Sequence, residues 1–455
     1  MSEASINQDD LPTTWALTNL GSVINYGSTN KAEPHEIADD DWILELEDIE
    51  KDSSRLLQKM TFLQRQSKST KNRFQTGDVL YGKLRPYLNK VLIAGEPGYC
   101  TTEILPLKTG THIDNQYLFY WLKHPVFLKY VEAESHGMNM PRLGTETGKA
   151  APFVLAPRNE QTRIASQLET LLTRVQTCND RFDAIPALLK RFRQTVLDAA
   201  VSGELTIDWR ETERAQSWPT VSIGAMTVNS YYGPRFGKDE YTELSTGVPT
   251  IRTTDMDRVG RIHISVDTPR VLVPAAKIEQ YRVKPGDLLV TRTGSIGVMA
   301  VFDGNYLAIP SAYLIRFRFN ENLRTRFAYY RLAAPIGQSE LGLSTTAVTQ
   351  PNVNAEAIKR IEFGLPTVEE QDEIIRRVEA FFALTDRIEA RFTAARAQAQ
   401  RLTPLVLAKA FRGELVAQDP NDEPASALLA RIASSNTAVV GKNKQKVPVA
   451  RKERA

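Results

Sequence analysis

Between Ile164 and Val196 apolar side chains fall at Ile164, Leu168, Leu171, Val175, Cys178, Phe182, Ile185, Leu189, Phe192 and Val196, alternately four and three residues apart. That spacing predicts a long helix whose seam packs on another long helix. At about 1.5 Å per residue the run is about 50 Å long. The same ten positions 210 residues later read Ile374, Val378, Phe381, Thr385, Ile388, Phe392, Ala395, Ala399, Leu402 and Val406. Thr385, Ala395 and Ala399 make this second seam thinner. Two such helices in one chain predict an antiparallel pair. Pro157 and Pro366 precede the two runs, so the helices should begin just after them. Thr367 and Glu370 have capping-box spacing. Pro186 and Pro404 lie inside, where proline kinks a helix, but the heptad register continues across both.

The stretches between the helices are different in kind. They hold short β-like runs that repeat in outline. Trp15 stands six residues before Gly21, and Trp218 six before Gly224. Gly77-Asp78 before Val79-Leu80 matches Gly286-Asp287 before Leu288-Leu289, each reading as a turn into a strand. Glu160-Gln161 and Glu370-Gln371 open the helical runs 210 residues apart, and Gly203-Glu204-Leu205 and Gly413-Glu414-Leu415 close them at the same offset. A repeat of this length is a whole domain plus its connector. The expected fold is α+β, with two strand-rich domains separated and followed by long helices that pair as an antiparallel coiled coil, giving a pseudo-two-fold internal repeat. The boundaries predicted are 1–156 and 217–365 for the strand-rich domains, 157–216 and 366–432 for the helical regions, and 433–455 for a basic, disordered tail.

Composition narrows this picture only modestly. A 455-residue chain exceeds what one core serves, and 42% hydrophobic with 24% charged residues is ordinary for a globular protein. No run of about 18 apolar residues suits a membrane. Two cysteines, Cys100 and Cys178, and an acidic, polar N-terminus fit a reducing cytoplasm. A net charge of +3 decides nothing about partners, while Lys442 to Arg454 carries six basic residues and reads as a solvated tail.

Catalytic chemistry is hard to place in this sequence. No Pro-Pro pair occurs, so the Asn/Asp-Pro-Pro-aromatic loop of adenine methyltransferases is missing. Gly144 to Ala150 superficially suggests a phosphate loop, but its glycines are one residue too close and Ala150 stands where Ser or Thr would bind magnesium. His35, His112, His124, His136 and His263 are scattered without zinc-ligand spacing. Asp39, Asp40, Asp41, Glu45, Glu47 and Asp48 read as an acidic face. The expectation is a binder without a catalytic centre or a metal.

Taken in order and in duplicate, the Trp/Gly openings, Gly-Asp turns, Glu-Gln helix starts and Gly-Glu-Leu closures resemble the specificity subunit of type I restriction–modification enzymes, over roughly residues 11 to 416. The resemblance implies two target-recognition domains, each reading half of a split sequence in double-stranded DNA, with the helices as a ruler between them. It implies docking of two methyltransferase subunits and, through them, restriction/translocase subunits. No cofactor would sit in this chain; S-adenosylmethionine, ATP and magnesium would belong to the partners. The rival readings are a protein-only coiled-coil adaptor and a stand-alone methyltransferase or nuclease.

Base reading needs donors and acceptors on loops that reach a groove. In the first domain the segment after the Gly-Asp turn offers Tyr81, Lys83, Arg85, Asn89 and Lys90. Its counterpart in the second offers Arg292, Thr293 and Ser295. A second pair of loops contributes Arg142 on one side and Thr346 and Gln350 on the other. Tyr231, with Tyr232 beside it, and Arg235 form a weaker third group, with Lys31 at the matching place in the first domain.

Overall fold

The computed structural model describes residues 6–137, 139–213, 217–293, 295–343 and 353–444. The chain divides into two compact units. One comprises residues 1–181 and 395–455, the other residues 182–394. Helices Arg158–Ser202 and Val368–Ala410, the first and second long helices, each contribute one end to each unit, and both run unbroken through their internal prolines. The kinks expected at Pro186 and Pro404 therefore do not end either helix.

In the first unit, strands Asn30–Ala32, Lys71–Phe74, Gly98–Thr101, Trp42–Leu44 and Met60–Thr61 lie side by side in that order. Only the Trp42–Leu44 and Gly98–Thr101 pairing is parallel. An antiparallel sheet of Val91–Ile93, Val79–Gly82 and Ile104–Leu107 follows from the Gly77-Asp78 turn, where Gly77 has φ +86°. In the second unit, Thr227–Tyr232, Leu314–Phe319, Asp287–Thr291 and Met299–Phe302 form an antiparallel sheet entered through Gly286, φ +88°. Positive φ is the reason both turns use glycine. Beside it, Val248–Ile251 pairs in parallel with Ile309–Pro310, repeating the parallel pair of the first unit. The two strand-rich regions thus share the parallel pair and the antiparallel trio after the Gly-Asp turn, although strand counts differ and few side chains match.

Each region is closed by a two-stranded ribbon of its own two ends. Ala16–Asn19 pairs with Pro152–Leu155, and Thr220–Ser222 with Glu362–Gly364. The ribbon delivers a tryptophan to the first turn of a long helix. Trp15 Nε1 donates to Glu160 Oε2 at 2.9 Å, and Trp218 Nε1 to Glu370 Oε2 at 2.9 Å. Both carboxylates are buried. Burial pushes the Glu160 carboxyl above the usual range, against the pull of the Trp15 and Gln418 donors. The neighbouring glutamines repeat as well. Gln161 donates to the Ala156 carbonyl and accepts from the Asp114 amide, while Gln371 donates to Pro366 and accepts from Arg324. Thr367 caps its helix by accepting the Glu370 amide at 3.3 Å. The Glu370 carboxylate, which the capping-box spacing assigned to the cap, is instead spent on the indole.

The Gly-Glu-Leu closures meet the same carboxylates. In the second unit Thr206, just past the end of the first long helix, donates to Glu370 at 2.7 Å and Arg210 Nε lies 3.2 Å from it. In the first unit Gln418, past the end of the second long helix, donates to Glu160. Within each unit, then, the start of one long helix meets the end of the other, as antiparallel pairing requires. Ile164 and Leu168 share a core with Leu407, Ala410 and Phe411. Val196, Leu197 and Ala200 share one with Ile374, Val378 and Phe382. The predicted seam is buried at Ile164, Leu168, Val196, Ile374 and Val378, whereas at the end of the second helix Leu402 is 45% exposed and Leu407, Ala410 and Phe411 are buried instead. Further along, Phe192, Phe381 and Ile388 are 40%, 37% and 42% exposed, although Phe192 touches Phe381 and Phe182 touches Phe392.

The C-terminal region departs from expectation. Helix Ala425–Lys444 extends into the stretch assigned to a disordered tail. Ala425, Leu428 and Ile432 recur at helical spacing and bury against the first unit's core, which anchors the start of that helix. Residues 445–455 lie outside the described residues.

The first unit's core also fixes a neutral histidine. His124 is stacked on Trp121 and packed against Phe411, and its Nδ1 accepts the Val126 amide at 3.2 Å. Burial, aided by nearby Arg412, pushes its pKa down to about 3. A depressed histidine stabilises the fold above the unfolded value near 6.5, and this contribution is lost as pH falls from there toward 3. Between pH 6.5 and 5, urea unfolding of the first unit should show a stability slope about 1.4 kcal/mol per pH unit steeper than that of His124→Leu. Equal slopes would show that His124 does not set it.

Candidate nucleic-acid interface

The two loops proposed as separate readers in the first unit are one structure. The Lys83 amide donates to the Glu103 carbonyl (3.0 Å), and the Lys83 carbonyl accepts the Leu143 amide (3.0 Å). Arg85 donates its amide to Pro141 at 2.8 Å, and Leu84 bridges Arg142. The second unit builds the same cradle. Arg292 donates to Tyr313 (2.9 Å) and accepts from Val353 (2.9 Å). Glu103 and Tyr313 are 210 residues apart, as are Leu143 and Val353. Each cradle is a central segment held between two neighbours by backbone hydrogen bonds, which constrain its side chains little.

Several expected contacts point outward from these cradles. Arg85 is exposed in a left-handed conformation, φ +49°, and its Nη2 reaches the Asn139 carbonyl at 3.5 Å. Arg142 is half-exposed and held by Glu103 at 3.1 Å. Lys83 is partly buried. In the second unit Arg292 and Thr293 are partly buried and Ser295 exposed. The Arg292 guanidinium lies 4.7 Å from the centre of the Tyr232 ring. Arg235 is exposed on the loop after Tyr232, and that loop runs beside the cradle, with the Gly233 amide donating to Leu314 at 2.9 Å. A side chain at Gly233 would collide with the Ser311 carbonyl, which is why glycine stands there.

Other expected contacts are corrected. Tyr81 is 1% exposed, packed edge-on against Phe127 in the first core. In a strand with both faces covered, alternation gives no outward position. Asn89 is buried at the end of a short turn, also at φ +49°. Lys90 is half-buried with Nζ committed to the Leu46 carbonyl at 2.7 Å. Tyr231 donates its hydroxyl to Tyr281 at 2.5 Å and carries Arg316 on its ring at 4.1 Å. Its hydroxyl, pushed up to about 12 by burial, is scaffold. Arg316 in turn pairs with buried Asp287, as does Arg318. Lys31 is exposed, but on the edge strand of the five-stranded sheet rather than at the cradle. Thr346 and Gln350 lie outside the described residues. The acidic run is ordinary surface and ion-pair chemistry, with Asp48 paired to Arg65 and Glu45 to Lys71.

The sequence reading missed Glu103 and Tyr313. Their signal is positional. Thr101-Thr102-Glu103-Ile104 and Ser311-Ala312-Tyr313-Leu314 sit at the same 210-residue offset as the helical motifs.

Comparison with known proteins gives the family and the fold. Residues 233–394 match the type I restriction modification DNA specificity domain. Over 357 residues the chain is 31% identical to the type I restriction enzyme StySPI specificity subunit of Salmonella potsdam, an alignment covering 74% of this chain and 75% of that one. The chain belongs to the type I restriction enzyme specificity subunits. It is likewise 30% identical to the EcoKI specificity subunit of Escherichia coli (strain K12), over 72% of this chain and 73% of that one. The HsdS subunit from Thermoanaerobacter tengcongensis has the same fold, with a TM-score of 0.60 at 19% identity over 89% of this chain and 98% of that one. A chain from a study of complex assembly and conformational transition of the type I R-M system superposes with a TM-score of 0.70, also at 19% identity, over 89% and 99%. Specificity subunits are non-catalytic DNA-recognition subunits that associate with DNA and with other restriction–modification subunits. No helix among the described residues is long and apolar enough to cross a membrane.

Arg85→Ala and Arg292→Ala should each weaken duplex DNA binding more than tenfold at fixed salt, with the fold kept because each cradle's backbone hydrogen bonds do not involve either side chain. Unaltered affinity for both variants in a titration would remove the cradles from the interface.

Proposed function

We propose that this specificity subunit reads a split DNA target, one half-site per unit, and docks two methyltransferase subunits on its long helices. The observation that carries this is the contrast within the repeat. The Trp-to-Glu anchors, glutamine brackets and helix-end cores recur in register, whereas the cradles present different side chains, Glu103 and Arg142 in one unit and Tyr313, Arg292 and Tyr232 in the other. Like scaffolds with unlike readers suit a target whose halves differ.

Docking is supported by exposed apolar groups on the helices of the second unit. Leu188 is 61% exposed and Leu384 41%, beside the half-exposed Phe192, Phe381 and Ile388. Such groups at helical spacing suit a partner that buries them. The methyltransferase subunits would bring S-adenosylmethionine, and restriction/translocase subunits would bring ATP and magnesium chemistry. The continuous helices would set the unread spacer between the half-sites.

The test is a map of methylated adenines in a host expressing this chain with its methyltransferase subunits. A motif in two parts with a fixed gap is expected. With Leu188→Glu and Leu384→Glu introduced together, methylation should disappear while the purified chain still binds DNA. An uninterrupted motif would contradict the two-reader proposal, and full methylation by the double variant would contradict the docking face.

A further inference from the structure

The two cradles differ in how they hold an arginine, and that difference has a chemical meaning. In the first unit Arg142 presents Nε and Nη2 to the Glu103 carboxylate, with contacts of 3.1 to 3.3 Å. Its side chain is 47% exposed and that of Glu103 25%. A carboxylate on the Nε–Nη2 side fixes the plane of the guanidinium. It leaves the outer Nη1–Nη2 edge free, and that pair of donors matches O6 and N7 of guanine in the major groove. The backbone beneath is stiff, since Arg142 and His136 exchange amide-to-carbonyl bonds and Leu84 bridges Arg142.

In the second unit no ion pair holds Arg292 among the described residues. Its guanidinium lies over Tyr232 instead, and its Nε is buried without a hydrogen-bond partner. Tyr232 is itself pinned, because its hydroxyl accepts the Ala355 amide at 3.1 Å. A ring held at its hydroxyl end is a rigid platform, and its face attracts a cation laid on it. The platform fixes the guanidinium plane as the carboxylate does in the first unit. Arg292 springs from the central segment of its cradle, where the first unit has Lys83. Arg142 springs from the neighbouring segment. The two guanidiniums are therefore offset within equivalent frames.

We propose that Arg142, clamped by Glu103, and Arg292, laid on Tyr232, each read one guanine in the major groove, so that each half-target contains a guanine fixed by one oriented arginine. The proposal rests on the reading of each unit as a half-site reader. Lysine separates base reading from phosphate contact, because it keeps the charge but cannot present the fork. Methylated-adenine maps should be compared for the parent chain, Arg142→Lys, Glu103→Ala, Arg292→Lys and Tyr232→Leu, each co-expressed with the methyltransferase subunits. Co-purification with those subunits confirms folding. The first two variants should lower the preference for guanine at one position of one half-site at least tenfold and leave the other half intact. The last two should do the same in the opposite half. Motifs that keep both guanines, with methylation only reduced throughout, would make these arginines phosphate contacts and overturn the assignment, as would a half-site that contains no guanine. A parent chain yielding no split motif would instead defeat the half-site reading itself.

Discussion

Everything in this protein hangs on a buried carboxylate in the first turn of each long helix. Glu160 and Glu370 are almost fully buried, and an ionisable group in that position needs donors or it destabilises the fold. Three elements supply them. The ribbon that closes a recognition region brings Trp15 or Trp218, and the segment beyond the other long helix brings Gln418, or Thr206 with Arg210. One carboxylate thus ties a reader, the start of one helix and the end of the other into a single knot, and the chain ties the knot twice. This explains why motifs scattered across the sequence recur as a set.

The knot also explains the division of labour. Because the ribbon and anchor fix each strand-rich region, the cradle proposed as its reading surface is free to vary. The backbone bonds that centre Lys83 and Arg292 depend on no particular side chain. The same logic places the apolar burden at the helix ends, where Ile164, Leu168, Ile374 and Val378 are sealed, and leaves apolar groups such as Leu384 exposed.

Periodicity and repetition made the scaffold legible from the sequence. Heptad spacing predicted both helices, and two such helices in one chain predicted their antiparallel pairing. The Gly-Asp turns were legible because positive φ demands glycine at Gly77 and Gly286. The site was less legible. Tyr81 and Asn89 looked like loop residues by composition, yet the strand that carries Tyr81 is covered on both faces, and Asn89 is folded under its turn. Tyr231 and Lys90 have suitable chemistry but spend it on backbone carbonyls. Burial and hydrogen-bond commitment depend on tertiary neighbours, which a single segment does not reveal. The Glu370 carboxylate shows the same thing at a helix start, where local spacing named a cap and the tertiary fold used the group for an indole. The C-terminal helix runs past the predicted boundary at 432 into the stretch read as a basic tail.

If the anchors are interchangeable and the readers independent, residues 15–156 can be replaced by 218–365, giving a chain with two copies of the second reader on the native helices. The account predicts that this chimaera folds, co-purifies with the methyltransferase subunits and directs adenine methylation to a split inverted repeat, the same half-site appearing on both sides of the gap. A folded chimaera that methylates the original asymmetric motif, or one with unlike halves, would contradict it.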